Sequence, residues 1–414
     1  MLHRYITIYN NAMEEQKPLY IRCGTSFFKR SFAPTITGDK VELLLPWNID
    51  TIKQDEGRNY IAQIPKYDGF VCIPNHIDYK QVYDNYYNTY HSLSHKPQEG
   101  DIDHTLFFLR HIFGSQVELG LDYLQILYSN PIQILPILCL VSRERATGKS
   151  TFLKWLKLIF EVNLTFLTND SFSSQFNSDW ANKLLICIDE VLFKKEELTE
   201  RIKYLSTTNI NKMEAKGRDK VEQFFFSKWL LCSNNERNFI KIDSEEIRFW
   251  ILKVPSIKKE DTNLLIKLNN EIPAFLYFLQ HRQLTVKKPL SRMWFSAAQI
   301  RTKALERLLS FNNHRTEIPV LETIHELFQE ISDEIIYICP KDILILIERN
   351  KKDITASEIR KILKQWGLKP EDNTKSYKSY KISNGEYYYI DRRGRYYTIH
   401  KKFIVEKYDA LMQD

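Results

Sequence analysis

The amino-acid sequence predicts an α/β protein organised on a parallel sheet, with a small mixed α+β region before it and a basic module after it. Three observations carry this. An apolar run, Ile134 to Val141, ends in a short polar loop, and Gly148, Lys149, Ser150 and Thr151 then open an amphipathic segment that closes at Phe160. A second apolar run, Lys183 to Ile188, ends in Asp189 and Glu190. A third, Ser227 to Ser233, ends in Asn234 and Asn235. Apolar strands that each end in polar side chains, with helical stretches between them, are the pattern of a sheet whose ligands gather at the carboxyl ends of its strands.

The first run has the parts of a nucleoside-triphosphate site. Loop N–H groups and a helix start face phosphates. Ala146, Thr147, Gly148, Lys149, Ser150 and Thr151 are the candidate ATP contacts, with Lys149 at the β- and γ-phosphates and Ser150 on Mg²⁺. One position departs from G-x-x-x-x-G-K-[ST]: Arg143 stands where the first Gly belongs. Arg tolerates positive φ poorly, so an altered loop start is expected there. Asp189 follows Lys149 by 40 residues and is placed to hold Mg²⁺ directly or through water, with Glu190 polarising an attacking water. Asn234 would hydrogen-bond the γ-phosphate and that water. Arg248, at the start of a further strand, is a candidate arginine finger for the neighbouring subunit's γ-phosphate, with Arg237 as runner-up.

Bulk properties limit the alternatives. The length of 414 residues allows two or three domains, and 43% hydrophobic with 27% charged residues is ordinary globular composition. No run approaches the ~20 apolar residues of a membrane span, and the start, Met1 to Tyr5, has no apolar signal segment. A cytoplasmic protein of a bacterial cell, with no membrane partner, is expected. Six cysteines without C-x-x-C spacing argue against a disulfide framework, and the Cys72–His76 pair has no second pair to complete a metal site. From 350 to 414, fifteen Lys and Arg face nine Asp and Glu, so nearly all of the net +7 lies in the last module.

The remaining stretches fall into place around this core. Residues 1–95 read as mixed and β-leaning, with strands at Tyr5–Tyr9, Leu19–Cys23 and Val41–Leu45, a turn at Gly38 and Asp39, and a helix over Tyr83–Tyr90. Residues 100–130 form two short helices, either a collar in an oligomer or part of the core. The ATPase core spans 131–285. Inside it, Ile210–Phe226 reads as a hairpin with Lys216, Gly217, Arg218 and Lys220 at its tip, suited to the backbone of a nucleic-acid strand. Residues 286–349 read as a helical connector, including one charged helix over Ser291–Phe311. In 350–414, Thr355 and Glu358 form a capping box, Ile359, Ile362, Leu363 and Trp366 an apolar face, and Gly367 a stop. Two strands flank Asn384 and Gly385, and Asp391–Gly394 is a second turn. Lys375, Lys378, Lys381, Arg392, Arg393 and Arg395 alternate with tyrosines, as a DNA-binding winged helix would.

The order of phosphate loop, acidic strand end, basic hairpin, Asn-ended strand and arginine resembles the superfamily 3 helicases of small DNA viruses and phages. It is most similar to the C-terminal ATPase of poxvirus- and phage-type primase-helicases. Asn234 lies 45 residues after Asp189, and Arg248 14 residues after Asn234, as that resemblance requires. It covers roughly residues 100–255, with a similar winged helix following, and leaves 1–95 without a counterpart or a legible primase site. It implies a modified AAA+ fold and a homo-oligomeric ring, usually a hexamer. ATP and Mg²⁺ sit between subunits, hairpins line a channel for DNA, and a primase or polymerase is a possible partner. By motif it carries over Lys149, Ser150, Asp189, Glu190, Asn234 and Arg248, and less securely Lys216 and Arg218. The expected function is an ATP-dependent DNA helicase acting in replication of a phage, plasmid or mobile element. The alternative is an ATP switch that binds DNA without unwinding it.

Overall fold

The computed structural model describes residues 17–34, 40–193, 196–214, 220–242, 246–287, 291–313, 316–347, 354–383 and 386–412. By its internal contacts the chain divides into two units, 1–240 with 247–305, and 241–246 with 306–414. The strand expected at Tyr5–Tyr9 and the turns at Gly38–Asp39 and Asn384–Gly385 lie outside the described residues.

The first unit opens with four strands, β1 (Tyr20–Cys23), β2 (Ser26–Pro34), β3 (Lys40–Trp47) and β4 (Lys66–Tyr67), in the order β3-β2-β1-β4. Helix α1 (Ile49–Glu56), capped by the Asn48 side chain, buries Ile52 against Tyr20 and Ile64. A small sheet follows, β5 (Gly69–Val71), β6 (Val82–Tyr83) and β7 (Tyr86–Asn88). The helix expected over Tyr83–Tyr90 is therefore a hairpin. Asp84 and Asn85 take φ of 44° and 66° at its turn, which these two residue types tolerate, and the flanking tyrosines suit strands.

His76 ties this region to the core. Its Nδ1 bonds the Tyr128 carbonyl at 2.7 Å and its Nε2 the Tyr90 hydroxyl at 2.6 Å, while the ring stacks on Tyr128. Burial pushes its pKa down to about 4, so the ring is neutral, with the proton on Nδ1 and the Tyr90 hydroxyl donating to Nε2. Both ring nitrogens are taken, and no metal-ligating cluster exists among the described residues.

Helices α2 (Asp103–Phe113) and α3 (Val117–Ser129) lead into the main sheet: β8 (Ile137–Val141), α4 (Lys149–Phe160), β9 (Leu164–Leu167), α5 (Asn169–Ser173), β10 (Leu185–Ile188), α6 (Glu196–Thr207), β11 (Ile210–Met213), β12 (Val221–Phe224), β13 (Lys228–Ser233) and β14 (Phe249–Lys253). Five strands run parallel in the order β14-β8-β13-β10-β9, and β11 and β12 stand apart as an antiparallel hairpin. β8, β10 and β13 are buried at every position, as parallel strands covered on both faces must be. Along β13 the side chains alternate. Leu230 and Cys232 join the cluster containing Phe108, Leu127, Phe152 and Trp155, whereas Trp229 packs edge-on against Phe172 and Trp180. Residues of α2 and α3 thus share one hydrophobic cluster with the main sheet.

Beyond β14 come α7 (Leu264–Asn270), α8 (Ile272–His281), α9 (Ala297–Ile300) and α10 (Lys303–Asn313). The single helix expected over Ser291–Phe311 is broken. Ser296 and Gln299 close a capping box, and the Thr302 hydroxyl donates to the Ile251 carbonyl while accepting from the Leu305 N–H, pinning the break to β14.

The second unit holds α11 (Glu317–Glu330), β15 (Ile335–Ile338), α12 (Pro340–Ile347), α13 (Ala356–Gln365), β16 (Lys375–Ser383), β17 (Glu386–Gly394), β18 (Tyr397–His400) and α14 (Lys401–Met412). Val320, Ile324, Phe328 and Ile343 share one core with Ile359, Leu363, Ile399 and Ile404, so the helices expected as a connector form half of this unit. The Thr355–Glu358 capping box forms as expected. The turn expected at Asp391–Gly394 does not: β17 pairs with β16 as far as Gly394 opposite Lys375.

Candidate nucleotide site at the carboxyl end of the sheet

The strand order decides what meets what. β13 separates β8 from β10, so the loop after Val141, the Asn234 turn and the Asp189–Glu190 turn stand side by side at one end of the sheet. Ser150, in the first turn of α4, donates its hydroxyl proton to Asp189 Oδ2 at 2.8 Å. Lys149 is buried, with its ammonium donating to the Thr147 hydroxyl at 3.2 Å and lying 3.5 Å from the Ser142 carbonyl. Burial pushes its pKa down, and the Asp189 and Glu236 carboxylates work the other way. Gly148 caps α4 at φ 85°, a left-handed conformation suited to glycine.

Positive φ within this loop falls on Ala146 (52°) and Gly148, not on Arg143. The Arg143 N–H donates to Glu236 Oε1 at 2.9 Å, and Glu236 also pairs with Lys253 at 3.1 Å. Burial works to raise the Glu236 carboxyl, but the Arg143 N–H and Lys253 outweigh it and hold it below the usual carboxylate range. Two further tethers come from the segment after β14: the Ser256 N–H donates to Glu144, and the Ile257 N–H to the Ala146 carbonyl at 2.9 Å.

Glu190 is exposed and also left-handed, at φ 59°. Such a conformation in a non-glycine residue persists only where neighbours enforce it. Asn169 does so, donating to the Glu190 carbonyl at 3.2 Å and accepting the Leu192 N–H at 3.2 Å. The Val191 N–H reaches the Cys232 carbonyl on β13. Asn234 is exposed just past β13, while Asn235 holds the turn by accepting the N–H groups of Arg237 and Asn238. Arg248 does not join this group. Its carbonyl accepts the Ile137 N–H at the opposite end of β8, about 16 Å of strand away from the loop. Sequence reasoning missed the supports Asn169, Glu236 and His111, whose Nε2 donates to the Thr147 carbonyl at 2.9 Å; nothing in the local pattern marks them, because each acts across strands or helices far apart in sequence.

The basic residues meet different fates. Lys216 and Arg218 lie outside the described residues. Lys220 pairs with Glu214 at 2.8 Å and Lys375 with Glu371 at 2.7 Å. Lys378 sits 4.6 Å over the Tyr389 ring. Strand alternation puts Arg392 on the face of β17 shared with Tyr377 and Ser379 of β16, where all three meet the buried Asp342 carboxylate. Arg393 and Arg395 are exposed. Ser357, Arg360, Lys361, Lys364 and Gln365 form an exposed polar face on α13 that sequence reasoning did not single out. It is the complement of the apolar face read there.

The profile of a family of unknown function, DUF5906, matches residues 140–248, a span that begins in β8 and ends at Arg248. No curated protein matches the chain. Among solved structures, the C-terminal region of NrS-1 aligns at TM-score 0.54 and 15% identity over 92% of this chain and 95% of that one. A second form of that region gives 0.52 and 16% over 90% and 94%. The likeness establishes a shared fold. The JCV helicase aligns at TM-score 0.29 and 11% identity over 60% of this chain and 65% of that one, too distant to bear on the comparison.

Proposed function

We propose that the chain is an ATP-driven DNA translocase of the superfamily 3 helicase type, with a modified AAA+ core and a C-terminal winged helix. It would act as a ring, expected to be a hexamer, in replication of a phage, plasmid or mobile element, with a primase or polymerase as a candidate partner. The observation that carries this reading is the Ser150–Asp189 hydrogen bond, which joins the start of α4 to the acidic end of β10 across an intervening strand. A hydroxyl and a carboxylate that meet beside a buried lysine have the oxygen chemistry for Mg²⁺ next to phosphates. Ser150 and Asp189 would hold the ion, which when bound neutralises charge on the phosphate oxygens. Lys149 would exchange Thr147 and Ser142 for phosphate oxygens. Glu190, whose backbone Asn169 holds, would take the proton of the attacking water, with Asn234 beside it. Arg248 stands too far along the sheet to reach its own loop, which favours a role at a neighbouring copy's γ-phosphate.

Phosphate release and forked-DNA unwinding by the wild type, Lys149→Ala and Asp189→Asn test the reading. Both variants should lose ATPase activity by at least about a hundredfold while keeping the wild-type melting temperature. Normal hydrolysis by Lys149→Ala would overturn it. A second reading, an ATP-driven switch that binds DNA without separating strands, draws support from Lys220, Lys375 and Arg392, each already paired with a carboxylate. ATPase activity that depends on Lys149, with no unwinding, would favour that one.

A further inference from the structure

Helix α2 lies directly against the candidate phosphate loop, a placement for which the proposed function gives no role. Phe108, His111 and Ile112 share one face of that helix, at spacing i, i+3, i+4. A Cβ on Gly148 would meet Phe108 at 3.2 Å and Ile112 at 3.7 Å, so this face backs the glycine. From it, His111 Nε2 reaches the Thr147 carbonyl oxygen at 2.9 Å. A carbonyl oxygen only accepts, so Nε2 carries the proton whatever the state of Nδ1.

The consequence lies in the peptide plane. The Thr147–Gly148 bond is trans, so its C=O and N–H point in opposite directions. Holding the oxygen against α2 aims the Gly148 N–H away from α2. The other tethers act earlier in the loop, at Arg143, Glu144 and Ala146. Of these contacts, His111 alone fixes the peptide that carries the Gly148 donor. Left without it, this peptide could rotate about the flanking φ and ψ, and the N–H would have to be reoriented each time nucleotide binds.

We propose that His111 is a positioning residue for the nucleotide: it pre-orients the Gly148 N–H as a donor to a bound phosphate. The inference rests on the reading of this loop as an ATP site. Its test uses the full chain, with Mg-ATP binding by calorimetry, steady-state kcat and KM, and melting temperature, for the wild type, His111→Ala and His111→Gln. Glutamine places an amide N–H near the position of imidazole Nε2 and can restore the bond. His111→Ala should weaken ATP binding about tenfold and raise KM in parallel, with kcat within about twofold of wild type. His111→Gln should recover binding to within about threefold of wild type. A helix-packing role alone would lower the melting temperature of both variants and leave KM unchanged. That result, or equal weakening in both variants, overturns the proposal. Wild-type protein that binds no ATP would remove the nucleotide reading itself; ATP binding equal in wild type and His111→Ala removes only the role of His111.

Discussion

Lys228 opens the central strand β13, and its charge sits where no aqueous ion belongs. The side chain is buried, with its ammonium donating to the carbonyls of Pro131, at 2.7 Å, and Phe226. Both acceptors are neutral, and burial pushes the pKa down to about 7 from 10.5. A lysine with a lowered folded pKa binds fewer protons in the folded than in the unfolded chain between those two values. Stability of the first unit therefore rises with pH from about 7 to about 10.5, and below pH 7 the full penalty applies. A shift of that size corresponds to roughly 4–5 kcal/mol. Lys228→Met removes the charge and leaves two carbonyls without this donor, at a cost of about 1–3 kcal/mol each that does not change with pH. The two terms are of similar size near pH 7, so the pH dependence is decisive: the stability of the variant relative to wild type should fall by roughly 4–5 kcal/mol between pH 7 and pH 10.5. At pH 10.5 the variant should be the less stable protein, because the folded wild-type lysine is then neutral and its amine still donates to the carbonyls. Urea unfolding followed by tryptophan fluorescence from pH 6.5 to 10.5 reads this directly, since Trp229 is the next residue. A wild-type-to-variant difference that stays constant across that range would refute the reasoning.

Other perturbations have equally definite outcomes. Gly148→Ala must place a Cβ at φ 85° within 3.2 Å of Phe108 and 3.3 Å of Ile257, and should cost about 1–3 kcal/mol in the melting of the first unit; an unchanged melting temperature would contradict the conformation. Burial works to raise the Asp342 carboxyl, but donors from Cys339, Tyr377 and Ser379 outweigh it and hold its pKa below the usual value. Its contribution is present above about pH 4 and is lost as pH falls further, and Asp342→Ala should destabilise the second unit by about 3–5 kcal/mol in urea unfolding at pH 7. On the proposed reading, Arg393→Ala should weaken DNA binding and lower the slope of log affinity against log salt by about one. Arg392→Ala should instead first lower the melting temperature, because it leaves Asp342 short of a partner; anisotropy titrations at several salt concentrations, alongside melting curves, separate the two.

What was legible in the sequence follows the range of the forces involved. The strand ends at Asp189 and Asn234, the helix starting at Lys149, and the Thr355 cap are written in local patterns: apolar runs, a glycine, a capping pair. The break at Thr302 was not, because it depends on a hydroxyl meeting the Ile251 carbonyl of a strand 51 residues earlier. The Tyr83–Tyr90 run failed for a local reason, since Asp84 and Asn85 were turn formers between strand-forming tyrosines. Arg392 and Arg393 look identical in the sequence, and only the β16–β17 register sends one to Asp342 and the other to solvent. The loop around Arg143 shows the same limit: its supports come from α2, from the turn after β13 and from the segment after β14.

Arg248 and Lys149 stand at opposite ends of neighbouring parallel strands. On the proposed reading, each chain then carries two half-sites and no complete one, and turnover becomes a property of encounter between chains. Specific activity should fall on dilution as assemblies come apart. Lys149→Ala and Arg248→Ala, each inactive alone, should regain activity when mixed, because the interfaces that pair an intact loop with an intact arginine are restored by chance of assembly.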